Sequence, residues 1–284
     1  MRGFAVRRPL CCLACACALV AGCVNGESSR RTQVEPDPRW AYDHAGIVRG
    51  DTATKQVALI FTGGDYGEGA PHILDVLSAH DIKASFFATG QFLADPDRRA
   101  FVRRMVAEGH YVGPHSDAHL LYCPWEDRDR TLVTADAFRR DLEKNIAELR
   151  GLGALPGPPP VYFIPPYEWF NADQVCWARD LDVVLFNFTP GSGSNRDWIP
   201  EGQPGFVPST TILADILAYE QKDPRGLNGF LLLLHLGSLR QDKMHLQLEP
   251  LLTELTQRGY AFVRVDELLR PSAAARRAGS TVRR

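Results

Sequence analysis

The sequence predicts an α/β fold, a distorted (β/α) barrel of about seven strands. Three observations carry this expectation. Short apolar runs alternate with helical patterns over most of the chain, which implies parallel pairing. Several runs are wholly apolar, as strands covered on both faces require. The chemically capable residues Asp65, His115, Tyr167 and His235 all fall at or just after the C-terminal ends of those runs. Parallel α/β folds gather their sites at that rim. A chain of 284 residues accommodates one large domain of this kind better than two small ones.

The elements follow in order. Gln56–Phe61 reads as a buried strand, and Pro71–His80 as a helix with proline at its start, where the missing N–H costs nothing. Ala84–Thr89 is a second strand. Asp97–Glu108 is an amphipathic helix stopped by Gly109, and His110–Gly113 a short strand. Thr134–Arg150 is a long helix with Thr134 as N-cap and Phe138, Leu142, Ile146 and Leu149 on one stripe. After a Gly/Pro loop, Val161–Ile164 is a strand ending at Pro165-Pro166, and Asn171–Arg179 a helix. Val183–Phe188 is a strand followed by a long loop to Pro208. Thr210–Glu220 is helical, Gly229–His235 an apolar strand, Glu249–Arg258 a helix, and Tyr260–Val265 the closing strand.

The ends read differently. Arg2, Arg7 and Arg8 form a basic segment, and Pro9–Val20 is apolar but too short to span a membrane comfortably. Val20-Ala-Gly-Cys23 follows. The segment resembles a bacterial lipoprotein signal, which implies lipidation of Cys23. An ordinary secretory signal or a short anchor is the alternative. Val24 in place of an Asp points to the outer membrane if the host is Gram-negative. The expected organisation is therefore a signal over 1–23, a tether over 24–45, the barrel over 46–270 and a basic tail over 271–284. Contact with the membrane runs through the lipid only.

A formal net charge of −2, with scattered basic residues, gives no reason to expect nucleic acid. Of seven cysteines, only Cys123 and Cys176 fall in the folded body, and their flanks fit buried thiols as readily as a disulfide.

The richest stretch is Gly113-Pro-His115-Ser-Asp-Ala-His119. Two histidines four residues apart share one face of a helical turn, so their rings can converge on a divalent metal. Asp65 supplies a carboxylate upstream, either as third ligand or as a capping residue in its Gly-rich loop. His110 reads as structural.

With these residues in view, the chain resembles the polysaccharide deacetylases of the NodB-homology type, carbohydrate esterase family 4, from about Lys55 to Leu269. Val57-Ala-Leu-Ile-Phe-Thr-Gly-Gly-Asp65 stands where the family has Thr-Phe-Asp-Asp-Gly. Ala70-Pro-His-Ile-Leu-Asp75 and Lys83-Ala-Ser-Phe-Phe87 follow as its first helix and second strand do. Gly109 to His119 matches the His-Ser/Thr-x-x-His motif, and Phe163-Ile-Pro-Pro-Tyr167 matches Arg-Pro-Pro-Tyr. Leu232-Leu-Leu-His235 matches Leu-x-His, and Gly259 to Leu268 the closing strand and helix. The order of the motifs is the persuasive part.

The departures are specific. The family's paired Asp positions hold Thr62 and Gly63, and its base-orienting Arg is Ile164. The nearest carboxylates are Asp65 and Glu68, in a glycine-rich loop that could bring Asp65 inward. Base and base-holder are missing together, which avoids an unpaired Arg in the site.

The resemblance implies a metal-dependent deacetylase that removes acetyl groups, most directly N-acetyl, from an envelope or exported polysaccharide. Asp65, His115 and His119 would hold the ion: zinc, with cobalt or nickel also compatible. Glu68 or Asp65 would take the proton of the attacking water. His235 would be the general acid, with Asp197 as the carboxylate that tunes it. The Tyr167 N–H would hold the oxyanion, a contribution of about 3 kcal/mol. Trp169, Phe170 and Trp198 either line a sugar groove or belong to the core. The alternatives are a catalytically impaired metal-bearing barrel that binds glycan, and a hydrolase of another amide.

Overall fold

The structure, a computed structural model, describes residues 36–158 and 160–272. An antiparallel hairpin comes first, β1 (Ala41–Asp43) and β2 (Gly46–Arg49), turning on His44 and Ala45. Then follow β3 (Gln56–Gly63), α1 (Ala70–Ala79), β4 (Ser85–Ala88), α2 (Gly90–Ala94), α3 (Pro96–Ala107) and β5 (Tyr111–Pro114). The chain continues through α4 (Ala135–Gly151), β6 (Val161–Phe163), α5 (Ala172–Arg179), β7 (Val183–Leu185) and α6 (Ser209–Lys222). It ends with β8 (Phe230–His235), α7 (Leu248–Gln257), β9 (Ala261–Phe262) and α8 (Val265–Leu268). Single 3-10 turns occupy Pro166–Glu168, Ser194–Trp198 and Met244–Gln247.

Strands β3 to β9 pair only in parallel, in agreement with the expected seven-strand barrel. Their order is β5-β4-β3-β8, with β9 taking the start of the β3 edge whose far end pairs with β4. Strands β6 and β7 form a separate pair. Hydrogen bonds from side chains and backbone bridge the gaps between these strand groups. The Tyr111 hydroxyl on β5 accepts the Tyr162 N–H of β6 at 2.7 Å. On the other side the Thr189 N–H donates to Leu231 O at 3.0 Å. The Thr189 hydroxyl accepts the Leu231 N–H at 3.0 Å and donates to Val48 O at 2.6 Å.

Strand parity explains the layers. Ala58 and Ile60 of β3, Leu231 and Leu233 of β8, and Phe87, Tyr162, Ile164 and Phe186 meet in the barrel interior. The alternate residues Val57, Leu59, Phe61, Leu232 and Leu234 lie beneath α1, α3 and α7. Val161, Phe163 and Leu185 lie beneath α4 and α5. Thr62 and His235 continue the inward parity and stand opposite each other in register, so they crown the interior at its C-terminal end.

The expected α4 stripe is buried throughout, and the Thr134 hydroxyl caps the helix by accepting the Ala137 N–H at 3.2 Å. Burying each such side chain stabilises by roughly 1.5–3 kcal/mol. The hairpin and α2 were not foreseen, and the strands beginning at Val183 and Ala261 are shorter than expected. Asn171 caps α5 rather than opening it, accepting the Asp173 N–H. The fold reaches into the stretch expected to be tether: β1 starts at Ala41 and Asp37 is buried. Cys123 is a free buried thiol that donates to Gln174 Oε1, so it does not pair with Cys176. The signal segment, Cys23 and the residues after 272 lie outside the described residues. No described helix is long and apolar enough to cross a membrane.

Candidate active site

The His115–His119 segment is a loop, not the helical turn its spacing suggests. Ser116 and His119 are both left-handed, with φ of 71° and 52°. Two buried polar residues one turn apart on α4 hold it. Asp141 accepts from the Ser116 hydroxyl at 2.5 Å and from the N–H groups of Asp117 and Ala118 at 3.1 and 2.8 Å. Asn145 Oδ1 accepts the His115 N–H at 3.0 Å. The rings still converge, with centroids 5.0 Å apart.

His115 Nδ1 donates to the Ile164 carbonyl at 2.9 Å, because a carbonyl can only accept. Nε2 therefore keeps its lone pair, the tautomer a metal ligand needs. Ile164 thus serves the site through its backbone. Burial, and then the neighbouring His119, hold His115 well below the ordinary imidazole pKa. Burial draws His119 down to about 4, against the pull of Asp65. Both rings are neutral at pH 7 and available as ligands.

His235, at the end of β8, forms a two-point pair with Asp197. Its Nδ1 donates to Oδ1 at 2.6 Å and its backbone N–H to Oδ2 at 2.8 Å. Burial opposes the charged imidazole, but Asp197 and then Glu168 outweigh it and raise the His235 pKa. This is the environment of a general acid.

Glu168 was not singled out from the sequence. It follows Tyr167 in the turn after Pro165-Pro166, and the two residues have φ of 58° and 52°. Left-handed backbone costs a residue with a side chain roughly 1–2 kcal/mol. The turn is held by Asn187, whose Nδ2 donates to Glu168 O at 2.8 Å. Tyr167 points out to solvent, while the Glu168 carboxylate lies 4.0 Å from His115 Nε2. Burial raises the Glu168 pKa to about 7, with His235 opposing. A carboxylate directly after a Pro-Pro-Tyr strand end was the sequence signal available.

The other candidates are placed as follows. Asp65 is exposed on the rim rather than turned inward, within electrostatic reach of His119. Its loop is clamped by Arg98, which donates to the Gly64 and Asp65 carbonyls at 3.0 and 2.5 Å. Glu68 is engaged elsewhere, accepting the Ser238 N–H at 3.0 Å and pairing with Lys243 at 2.5 Å. Burial alone would raise its pKa, but Lys243 and Ser238 together lower it. Thr62 Oγ1 is buried with no hydrogen-bond partner among the described residues. His110 is structural, accepting the Ala84 N–H at Nδ1.

Of the aromatics, Phe170 is core, which decides between the two readings open for it. Trp169 is half-buried, donates to Pro124 O, and carries the Arg128 guanidinium over its ring. Trp198 is exposed beside Asp197. The Tyr167 ring lies 4.3 Å from that of His119 and 5.8 Å from that of the exposed Trp125.

Among the described residues, no three of His, Cys, Asp and Glu are drawn tightly enough together to grip an ion as they stand. The donor chemistry nevertheless fits one: two neutral imidazoles, one with its lone pair facing a carboxylate.

A parallel barrel with paired histidines and a His–Asp dyad at its C-terminal rim has the layout of a hydrolase. Comparison with known proteins makes the class specific. A profile described as polysaccharide deacetylase matches residues 49–185. A chitooligosaccharide deacetylase of Sinorhizobium fredii is 36% identical over 174 residues, covering 60% of this chain and 71% of that one. The solved structure of Bacillus subtilis PdaA, a family 4 carbohydrate esterase, matches with a TM-score of 0.63 and 25% identity over 80% of this chain and 85% of that one. The fold is also that of a family 4 pseudoenzyme from Bacillus anthracis, with a TM-score of 0.62 and 23% identity over 80% of this chain and 70% of that one. The chain belongs to the polysaccharide deacetylase family, hydrolases acting on carbon–nitrogen bonds other than peptide bonds.

Proposed function

We propose that this protein is a metal-dependent deacetylase acting on N-acetyl groups of an envelope or exported polysaccharide, held in the cell envelope by a lipid on Cys23. The observation that carries the reading is the His235–Asp197 pair, with Nδ1–Oδ1 at 2.6 Å, on the same barrel rim as the His115–His119 pair. PdaA of Bacillus subtilis, 27% identical over 220 residues, is named a peptidoglycan-N-acetylmuramic acid deacetylase, which supports an envelope glycan as substrate.

His115 and His119 would hold the ion, zinc or else cobalt or nickel. Bound there, it supplies Lewis-acid polarisation of the acetyl carbonyl and a lowered pKa for water. Asp65, within electrostatic reach of His119, would take the proton of the attacking water. Glu68 is the less suited base, since Lys243 and Ser238 occupy its carboxylate. The Tyr167 N–H receives the oxyanion. His235 Nε2 delivers a proton to the leaving amine while Asp197 holds Nδ1, and acetate departs. Tyr167, Trp169 and Trp198 offer faces to sugar rings.

Purified protein supplied with zinc or cobalt is expected to release acetate from peptidoglycan fragments or N-acetylated chitooligosaccharides. His235→Ala should lower the rate by roughly 100- to 10,000-fold, the usual worth of a positioned acid. A second reading is favoured by the absence of carboxylates at Thr62 and Gly63: a barrel that binds glycan without cleaving it. Tight glycan binding with no acetate from N- or O-acetylated substrates would select that reading.

A further inference from the structure

We infer that Glu168 is the carboxylate ligand that completes the His115–His119 ion site. The inference rests on the metal-site reading above and names the residue that reading lacks.

Two imidazoles need an acidic partner to make a three-ligand site with open positions. The end of β3 cannot provide it. Thr62 has no carboxylate, and a Cβ at Gly63 would stand 2.8 Å from side-chain atoms of Leu236 and Phe92. Most nearby carboxylates are committed. Asp197 holds His235 at two points, and Asp141 holds the loop. Asp117 pairs with Lys144 at 2.7 Å, and Glu68 with Lys243. Asp65 is exposed.

Glu168 remains, and its placement is positive evidence as well. His115 Nδ1 carries the proton donated to Ile164 O, so the Nε2 lone pair meets Glu168 Oε1 across 4.0 Å. An imidazole nitrogen with a free lone pair and a shielded carboxylate at this spacing are two of the donors a divalent ion takes. The side chain is there because the backbone pays for it, with two consecutive left-handed residues pinned by Asn187. That strain aims Glu168 inward and Tyr167 outward. Closing the gap to the spacing of two ligands on one zinc, about 3.3 Å, needs only a small side-chain movement.

The test is ion binding by the full chain, read without activity. Zinc affinity is measured by competition with a chromophoric chelator, and Co2+ by its visible absorption. The wild type should bind one ion. Glu168→Gln should weaken zinc binding by about 100-fold or more, beyond what outer partners usually contribute, and bleach the cobalt bands. Glu168→His, which keeps a donor, should retain the ion with shifted bands. Asp65→Asn should stay within about threefold of wild type. Wild-type affinity in Glu168→Gln overturns the inference. If Asp65→Asn then loses the ion, Asp65 is the ligand and the deacetylase reading survives. If the wild type binds no ion at all, the metal-site reading falls together with the inference.

Discussion

Asp197 sets both the direction and the protonation of His235. Burial alone would keep that imidazole neutral, and the carboxylate, aided by Glu168, reverses the sign. A raised pKa extends the protonated, proton-donating form to higher pH, so deacetylation should fade as pH rises through it. Asp197→Asn removes the largest raising influence and leaves burial. The alkaline limb of the pH–rate profile should then move to lower pH, with a loss of roughly 100-fold or more in kcat at neutral pH. An unmoved limb would mean that another group supplies the proton. This pair was legible through the family resemblance, which implies a general acid at His235 and a carboxylate beside it, with Asp197 as the candidate. Glu168 offered only its place after Pro-Pro-Tyr, since nothing in a single sequence announces that two consecutive left-handed residues turn it inward. Asp65 was read as turning inward from its glycines, yet the same glycines serve a loop that Arg98 clamps at the surface.

At the level of elements, α4 does two tasks with one buried face. Phe138, Leu142 and Ile146 bury against β6 and its neighbours, Leu149 joins the cluster that holds Val102 and Met105 of α3, and this stripe was readable from period alone. Asp141 and Asn145 are buried as well, and no periodicity argument explains a buried acid in a helix. Its reason lies 25 residues upstream, in the Ser116 hydroxyl and the amides beside it. That distant support is also why the histidine spacing misled: the loop needs no helix when α4 fixes it from below. The β1–β2 hairpin escaped notice for a local reason, since its strands are three and four residues long and His44-Ala45 is not a usual turn pair. Asp141→Ala strands three donors at once. It should lower unfolding free energy by about 3 kcal/mol in urea and weaken zinc binding 10- to 100-fold. The exposed Asp136→Ala, on the same helix, should cost under about 1 kcal/mol. Equal effects from the two variants would show that Asp141 merely favours the helix.

Across the whole molecule, one ionic knot joins the segment before β1 to the segment after α8. Asp37 accepts from the Arg39 guanidinium at 2.9 and 2.7 Å and from the Ser272 N–H at 3.0 Å. Arg39 reaches on to Asp51 at 3.1 Å and to Arg270 O at 3.3 Å. The knot ties the segment that precedes β1 to the segment that follows the last helix, so neither can leave the barrel without breaking its hydrogen bonds to the other. Arg39, and less strongly the Ser272 amide, hold the Asp37 carboxyl far below its ordinary range against the opposing effect of burial. A lowered folded pKa gives stability that is full above the unfolded value, near 3.9, and is lost as pH falls toward the folded one. Asp37→Asn should therefore cost about 2 kcal/mol at pH 7, a figure kept modest because Arg39 is 38% exposed. In urea unfolding the gap between variant and wild type should hold steady from about pH 8 to 5 and narrow at about pH 3, as the unfolded carboxyl takes up its proton. A gap as wide at pH 3 as at pH 7 would show that the knot acts through shape rather than charge.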